Sequence, residues 1–284
     1  MITIDNLSYR YRKGPEAVSC VSATIEPGIH LLLGENGVGK TTLLHLMAGL
    51  LFPTAGRVEL NGADPARRDP DTLRQLFFMA ENMIFPAKTI REFAGMHSRL
   101  YPTFDAEAFN RNLSDFGLTG DENLARQSLG NRKKSNLSYV LALGVNMLLL
   151  DEPTNGLDIT SRKTLRQMIA RSMTDDSTII IATHSVHELN TLYDGVIILN
   201  HSRLLVAMPS WQIAERLMFT DSPVPAEAPL YEEQEIGVFH SISPNPAGET
   251  SDVNYSLLYS ALLSPARDYI LNALNTLNAL NTLQ

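Results

Sequence analysis

The chain has 284 residues, 44% of them apolar and 19% charged, enough for one large core or for a core with a small appendage. Its formal net charge of -8 argues against a general affinity for nucleic acid, whose phosphates demand a basic face. Cys20 is the only cysteine, which excludes an intrachain disulfide and fits a reducing compartment, and apolar runs such as MLLL and IIIA fall far short of the roughly 20 residues a membrane-crossing helix needs.

The amino terminus, MITIDNLSYRYRK, alternates like a strand and lacks the three-part pattern of a secretory signal, so export by that route is not expected. Strands are expected at ITI, at VSATI around Val21 and at IHLLL ending at Leu33, the last apolar throughout as in a buried parallel strand. GENGVGK follows, and then TTLLHLMAGLL, with Leu43, Leu44, Met47 and Leu50 at helical spacing. Strand, glycine loop and helix form the setting a phosphate-binding loop requires.

FFMAEN reads as a strand stopping at a polar pair, and about residues 89–127 read as a helical insertion. Next come a helix from about Asn131 to Gly144, the strand MLLLD, a helix from about Thr160 to Met173, the strand STIIIAT, a helix from Val186 and the strand GVIILN. Strands alternating with helices predict an α/β fold with a largely parallel, helix-covered sheet. DSPVPAEAPL, from Asp221, reads as a proline-rich linker. IGVFHSIS and NYSLLYSALL then suggest a small β element and a short amphipathic helix. The closing LNALNTLNALNTLQ places leucine at every third position, a spacing that drifts around a helix, and predicts a weakly ordered tail.

Gly34, Gly39, Lys40 and Thr41 fill every fixed position of G-x-x-x-x-G-K-[ST]. The glycines let backbone N–H groups close around phosphates, the Lys40 ammonium reaches the outer ones, and the Thr41 hydroxyl can ligate Mg²⁺. In MLLLDEPTNGLD an apolar strand delivers Asp151 to its carboxyl end, where a magnesium ligand belongs, and places Glu152 where a carboxylate can polarise an attacking water. His184 follows STIIIAT at another strand end, a position that favours contact with the γ-phosphate, whereas His187 keeps a structural reading.

GENGVGKTT, MLLLDEPTNGLD and the ATH at His184 together resemble the ATP-binding cassette of ABC transporters over about residues 1–215. Within that family, RLYPTFDAEAFNRNLSDFGL resembles the helical region of cassettes that serve bacterial exporter-type membrane subunits. The resemblance implies an ATP site formed by Gly34, Asn36, Gly37, Gly39, Lys40, Thr41 and Thr42, with Mg²⁺ on Thr41 and Asp151 and hydrolysis carried by Glu152 and His184. Tyr11 stands where an aromatic residue stacks on adenine, with Tyr9 as the alternative. Glu81 replaces the family's Q-loop glutamine and is a further candidate metal ligand. Met83, Ile84 and Phe85 follow it, in the region that borders the family's groove for a membrane-subunit helix; core packing is the alternative reading.

Counting back without gaps from Asp151 sets Gln127–Asn131 on the family's L-S-G-G-Q. That alignment retains Ser128 and Gly130, which would contact the ATP held by the opposite subunit. Arg132, Lys133 and Lys134 are three cations in the first turn of the next helix, against its dipole, and call for an anion such as a triphosphate across the interface. Extension of the lysines into solvent is the alternative. NGLD, Asn155 to Asp158, resembles the family's dimer-contact loop.

The resulting expectation is a P-loop ATPase cassette over residues 1–220, with an amino-terminal antiparallel β part and a helical subdomain at about 83–140. A linker at 221–230, a small α+β appendage at 231–266 and a tail at 267–284 follow. Such a chain would be cytoplasmic and peripheral on the inner face of the membrane. It would dimerise with a second cassette, identical or paralogous, around two Mg-ATP and drive a separate membrane subunit, most simply in export, without itself binding the transported substrate. The rival readings are a soluble non-transport ABC ATPase and a dimerisation module with little hydrolysis; a GTPase is disfavoured because no N-K-x-D motif is present.

Overall fold

The computed structural model describes residues 1–184 and 192–275. An amino-terminal β part is made by β1 (Ile2–Arg10) and β2 (Glu16–Ile25), and the first core strand β3 (Gly28–Leu33) runs into helix α1 (Lys40–Met47). Next are β4 (Ala55–Leu60), a single turn α2 (Pro70–Leu73) and β5 (Leu76–Met79). The expected helical insertion contains α3 (Ile90–His97) and α4 (Ala106–Asp115), capped by Thr89 and Asp105 through their side-chain oxygens, and is followed by α5 (Leu129–Val140). The α/β repeat continues through β6 (Met147–Asp151), α6 (Ile159–Ser172), β7 (Thr178–Ala182), β8 (Gly195–Asn200) and β9 (Arg203–Pro209). The carboxyl-terminal part is α7 (Ser210–Arg216), β10 (Leu217–Ser222), β11 (Tyr231–Glu235), β12 (Val238–Pro244), α8 (Tyr255–Leu263) and α9 (Arg267–Asn275).

The central sheet runs β5-β6-β7-β3-β8-β9, with every pairing parallel except that of β8 with β9. Its strands are apolar on both faces because both are covered, and their residues divide by parity. Leu31, Leu33, Leu148, Leu150, Ile179 and Ile181 enter one core cluster, with the helical insertion and α6. Leu32, Met147, Leu149, Ile180 and Ile197 enter the other, with α1 and the antiparallel sheet β2-β1-β4. Parallel pairing of β3 and β6 with β7 places the carboxyl ends of the three strands side by side, where ligands of open α/β sheets collect.

Two expectations change in detail. The stretch expected to begin a linker starts inside β10, where Asp221 and Ser222 pair with His240 and Phe239 of β12. The first residues of the expected tail form α9, because Ile270 and Leu274, four apart, share one buried face. The helix expected from Val186, His187 and residues 276–284 of the tail lie outside the described residues.

Candidate nucleotide site

β3 ends at Leu33, and the loop after it turns back over the amino end of α1. Gly39 has φ +114°, and a Cβ there would lie 2.1 Å from the Ala17 carbonyl oxygen, so the loop passes β2 too closely for any side chain. Gly39→Ala is expected to cost at least about 2 kcal/mol of stability through strain and displaced backbone, read as a lowered Tm together with lost ATP affinity.

Lys40 is buried, and its Nζ donates to the carbonyls of Gly34 at 2.7 Å and Glu35 at 3.3 Å. Burial pulls its ammonium below the ordinary lysine range, and the carboxylates of Glu152 and Asp151 oppose that pull. Thr41 Oγ1 donates to Asp151 Oδ2 at 2.8 Å, joining α1 to the end of β6. Burial raises the Asp151 carboxyl above its usual range, the Thr41 hydroxyl opposes this, and the charges of Glu152 and Glu81 push the same way as burial.

Around this loop lies a cleft of about 490 Å³ lined by Tyr11, Asn36, Gly37, Gly39, Lys40, Thr41, Thr42, Glu81, Asp151 and Glu152, among others. Gly34 sits beneath it and serves through its carbonyl. Tyr11 lies just past the end of β1, 45% exposed, with its hydroxyl 3.2 Å from Thr42 Oγ1 and its ring edge-on to Tyr9, which does not line the cleft. The geometry therefore favours Tyr11 over Tyr9 for a base stacked at this rim.

Glu152 Oε1 accepts from the backbone N–H of His184 at 3.1 Å and lies 2.8 Å from His184 Nδ1. Its Oε2 is buried with no hydrogen-bond partner among the described residues. A carboxylate only accepts, so Nδ1 carries the shared proton. Among the described residues, no three His, Cys, Asp or Glu side chains are arranged as a metal cage. The Thr41–Asp151 pair beside the phosphate loop instead fits Mg²⁺ held chiefly by phosphates and water. Glu81 Oε1 accepts from Asn155 Nδ2 at 2.8 Å, which ties the Q-loop position to the NGLD loop.

Ser128 and Gly130 are not brought to this cleft. Ser128 caps α5, its Oγ accepting from the Asn131 N–H at 3.2 Å, and is exposed together with Leu129 and Asn131. A Cβ on Gly130 would lie 2.6 Å from the Gly156 carbonyl, so the signature turn rests on the chain's own NGLD loop.

The two lysines among the three cations after it are arranged otherwise than expected. Lys134 pairs with Asp158 at 3.2 Å. Lys133 is buried and directs its Nζ to the carbonyls of Glu81 and Glu152, neither into solvent nor out across an interface. It lies four and seven residues before Leu137 and Val140, both buried, so helical spacing was the signal for its inward direction. Asn155 was likewise missed as the partner of Glu81. Of the residues after Glu81, Phe85 joins the core, Met83 is half-buried and Ile84 is 69% exposed.

The sequence profile of the ABC transporter family matches residues 18–155. The ABC transporter ATP-binding protein NatA of Bacillus subtilis is 32% identical over 216 residues, covering 72% of this chain and 88% of NatA. The energy-coupling factor transporter ATP-binding protein EcfA2 of Streptococcus sanguinis is 29% identical over 248 residues, covering 78% and 86%. Among solved structures, an ATP-binding subunit of an ABC transporter superposes with a TM-score of 0.68 at 22% identity, covering 75% of this chain and 91% of that one. A dimeric ATP-binding cassette bound to ADP and Pi gives 0.63 at 20% identity, covering 74% and 98%. A phosphate loop and a carboxylate-bearing strand end in one cleft, with a histidine bonded to the Glu152 carboxylate behind it, agree with that kinship, and the chain belongs to the ATP-binding subunits of ABC transporters.

Proposed function

We propose that this subunit binds and hydrolyses Mg-ATP in a closed dimer of two cassettes and thereby drives a membrane-spanning exporter subunit. The observation that carries the reading is the separation of the site into two halves. Lys40, Thr41, Asp151 and Glu152 converge in one cleft, with His184 bonded to Glu152, whereas Ser128, Leu129 and Asn131 are presented on the surface outside it. A head-to-tail partner would bring its own Ser128 hydroxyl and Gly130 N–H over the nucleotide held here, completing the cleft.

In that closed state Glu152 is the general base. Oε1 is held by His184, and the unpartnered Oε2 receives the proton of the attacking water. With Nδ1 donating to Glu152, a hydrogen bond from His184 Nε2 to the γ-phosphate would need a proton on each ring nitrogen. Thr41 and Asp151 would hold Mg²⁺, which would supply positive charge to offset the charge developing on the phosphates. Glu81, engaged by Asn155, serves the metal at most through its second oxygen.

ATP binding favours the closed dimer and hydrolysis removes that preference, so a subunit coupled to the dimer follows the cycle. Ile84, exposed beside Met83, and the small cleft between them and α5 offer an apolar foothold for a helix of the membrane subunit. No described helix is long and apolar enough to cross a membrane, so contact with the inner face would run through that partner. Export is inferred from the likeness of the helical region, RLYPTFDAEAFNRNLSDFGL, to exporter cassettes.

Affinity capture of the tagged full-length chain from detergent-solubilised membranes tests the reading. An integral membrane protein is expected to co-purify, and Mg-dependent phosphate release by the purified chain is expected alongside. Phosphate release with no membrane protein would turn the reading towards a soluble ATPase. Absence of phosphate release would leave a nucleotide-dependent dimerisation module.

A further inference from the structure

A lysine on the inner face of α5 connects the two halves of the site within one chain. Lys133 is 4% exposed, and its Nζ donates to the Glu81 carbonyl at 2.6 Å and to the Glu152 carbonyl at 2.9 Å. An ammonium removed from water is costly unless it is hydrogen-bonded and balanced by charge. Here two carbonyls accept from it, and the carboxylates of Glu81, Glu152 and Asp151 oppose the downward pull of burial on its proton affinity.

What that lysine holds is unusual backbone. Glu152 has φ +46°, in the left-handed region that a residue with a Cβ occupies at a cost and keeps only when its surroundings dictate it. The surroundings are identifiable: the Glu152 N–H donates to the Ala182 carbonyl at 2.8 Å, and the Glu152 carbonyl accepts from Lys133. That turn aims the carboxylate at His184. The second bond, to the Glu81 carbonyl, fixes the residue two positions past the end of β5, whose side chain meets Asn155.

We propose that Lys133 is a positioning residue for hydrolysis, holding Glu152 in its left-handed turn and tying that turn to the helix whose first residues carry the signature. The inference rests on the reading above, in which Glu152 activates water and Ser128 and Gly130 meet the opposite nucleotide. Its consequence is a stiff internal link. The signature helix cannot shift towards or away from the partner's ATP without moving the carbonyl behind its own chain's general base, so each subunit's catalytic geometry depends on what its signature touches.

The test uses the full-length chain with Lys133→Met, which nearly keeps the volume but removes the donors, and Lys133→Gln, a chain of the same length as Met that restores an uncharged NH₂ donor. Lys133→Met is expected to lower kcat at least about tenfold while ATP affinity and KM change less than about threefold, because the loss lies in alignment and not in binding. Lys133→Gln is expected to recover part of that loss. In a Glu152→Gln background, Lys133→Met is expected to cause no further fall in the residual rate, since both act through one carboxylate.

Wild-type kcat in Lys133→Met, equal losses of kcat and affinity, or a fall that adds in full to that of Glu152→Gln would each overturn the inference. If Lys133→Met gives no folded protein, Lys133→Gln decides by the same split, with reduced kcat at unchanged affinity supporting the inference and wild-type kcat sinking it. A wild-type chain that does not hydrolyse ATP, or a fully active Glu152→Gln variant, overturns the underlying reading and this inference with it. Unaffected lysine variants beside an inactive Glu152→Gln overturn this inference alone.

Discussion

Glu152→Gln is expected to lower steady-state ATP hydrolysis by roughly 10²–10⁴-fold, the range lost when a general base is removed, while ATP still binds. The expectation follows from how the two carboxylate oxygens are used. Oε1 accepts from the His184 backbone N–H, a bond a glutamine oxygen retains, so the side chain stays in place. Oε2 is buried without a partner, and an amide NH₂ in its position can donate but cannot take a proton from water. Binding and chemistry should therefore separate. The variant is expected to accumulate as an ATP-bound dimer, visible as a shift to twice the mass in size-exclusion chromatography with Mg-ATP. Phosphate release equal to wild type would remove Glu152 from the reaction.

Lys40→Met is expected to weaken ATP binding by roughly 10²-fold, measured by calorimetric titration under conditions without turnover. The Lys40 ammonium is shared between the Gly34 and Glu35 carbonyls, so it is already desolvated and held within the phosphate loop. Hydrogen bonds to charged groups contribute about 1.5–3 kcal/mol each, and losing one to a phosphate suffices for a factor of that order. A second effect adds to it. Without Lys40, Asp151, Glu152 and Glu81 face the triphosphate with no lysine ammonium among the phosphate-loop residues to offset them, so the loss should be greatest when Mg²⁺ is omitted. Unchanged affinity would mean that the nucleotide sits elsewhere.

The parts of this molecule that could be read from sequence are those whose cause is local. Runs such as IHLLL and TIIIA are apolar at every position because both faces of their strands are covered, and the covering helices lie next to them in the chain. The phosphate loop is legible because one backbone path imposes its residue types within eight positions, Gly34 to Thr41. Strands β4, β9, β10 and β11 were not anticipated. All four lie at the edge of their sheets, half-exposed, and AGRVEL or YEEQE carries no alternation strong enough to declare itself.

The site divides in the same way. Thr41 and Asp151 were paired by motif, and the structure joins them by a hydrogen bond. Lys133 was weighed by its charge and its place in a helix's first turn, when the face it occupies decides its direction. Helix α9 was obscured for the converse reason. The three-residue leucine period of the tail is conspicuous, and the one four-residue step that packs, Ile270 to Leu274, begins before the repeat.

The core cluster that contains the insertion helices extends from Ile29 to Leu274, whereas the cluster beneath α1 and the amino-terminal sheet is complete by Leu199. During synthesis the two cannot mature together. At roughly 5–20 residues per second the ribosome needs about 4–15 s to travel from Leu199 to Leu274, and through that interval Ile213 and Leu217 lack α8 and α9 to cover them. The nucleotide loop leads into α1, whose Leu43 and Leu44 belong to the early cluster, so the loop gains its support while the other face is still open.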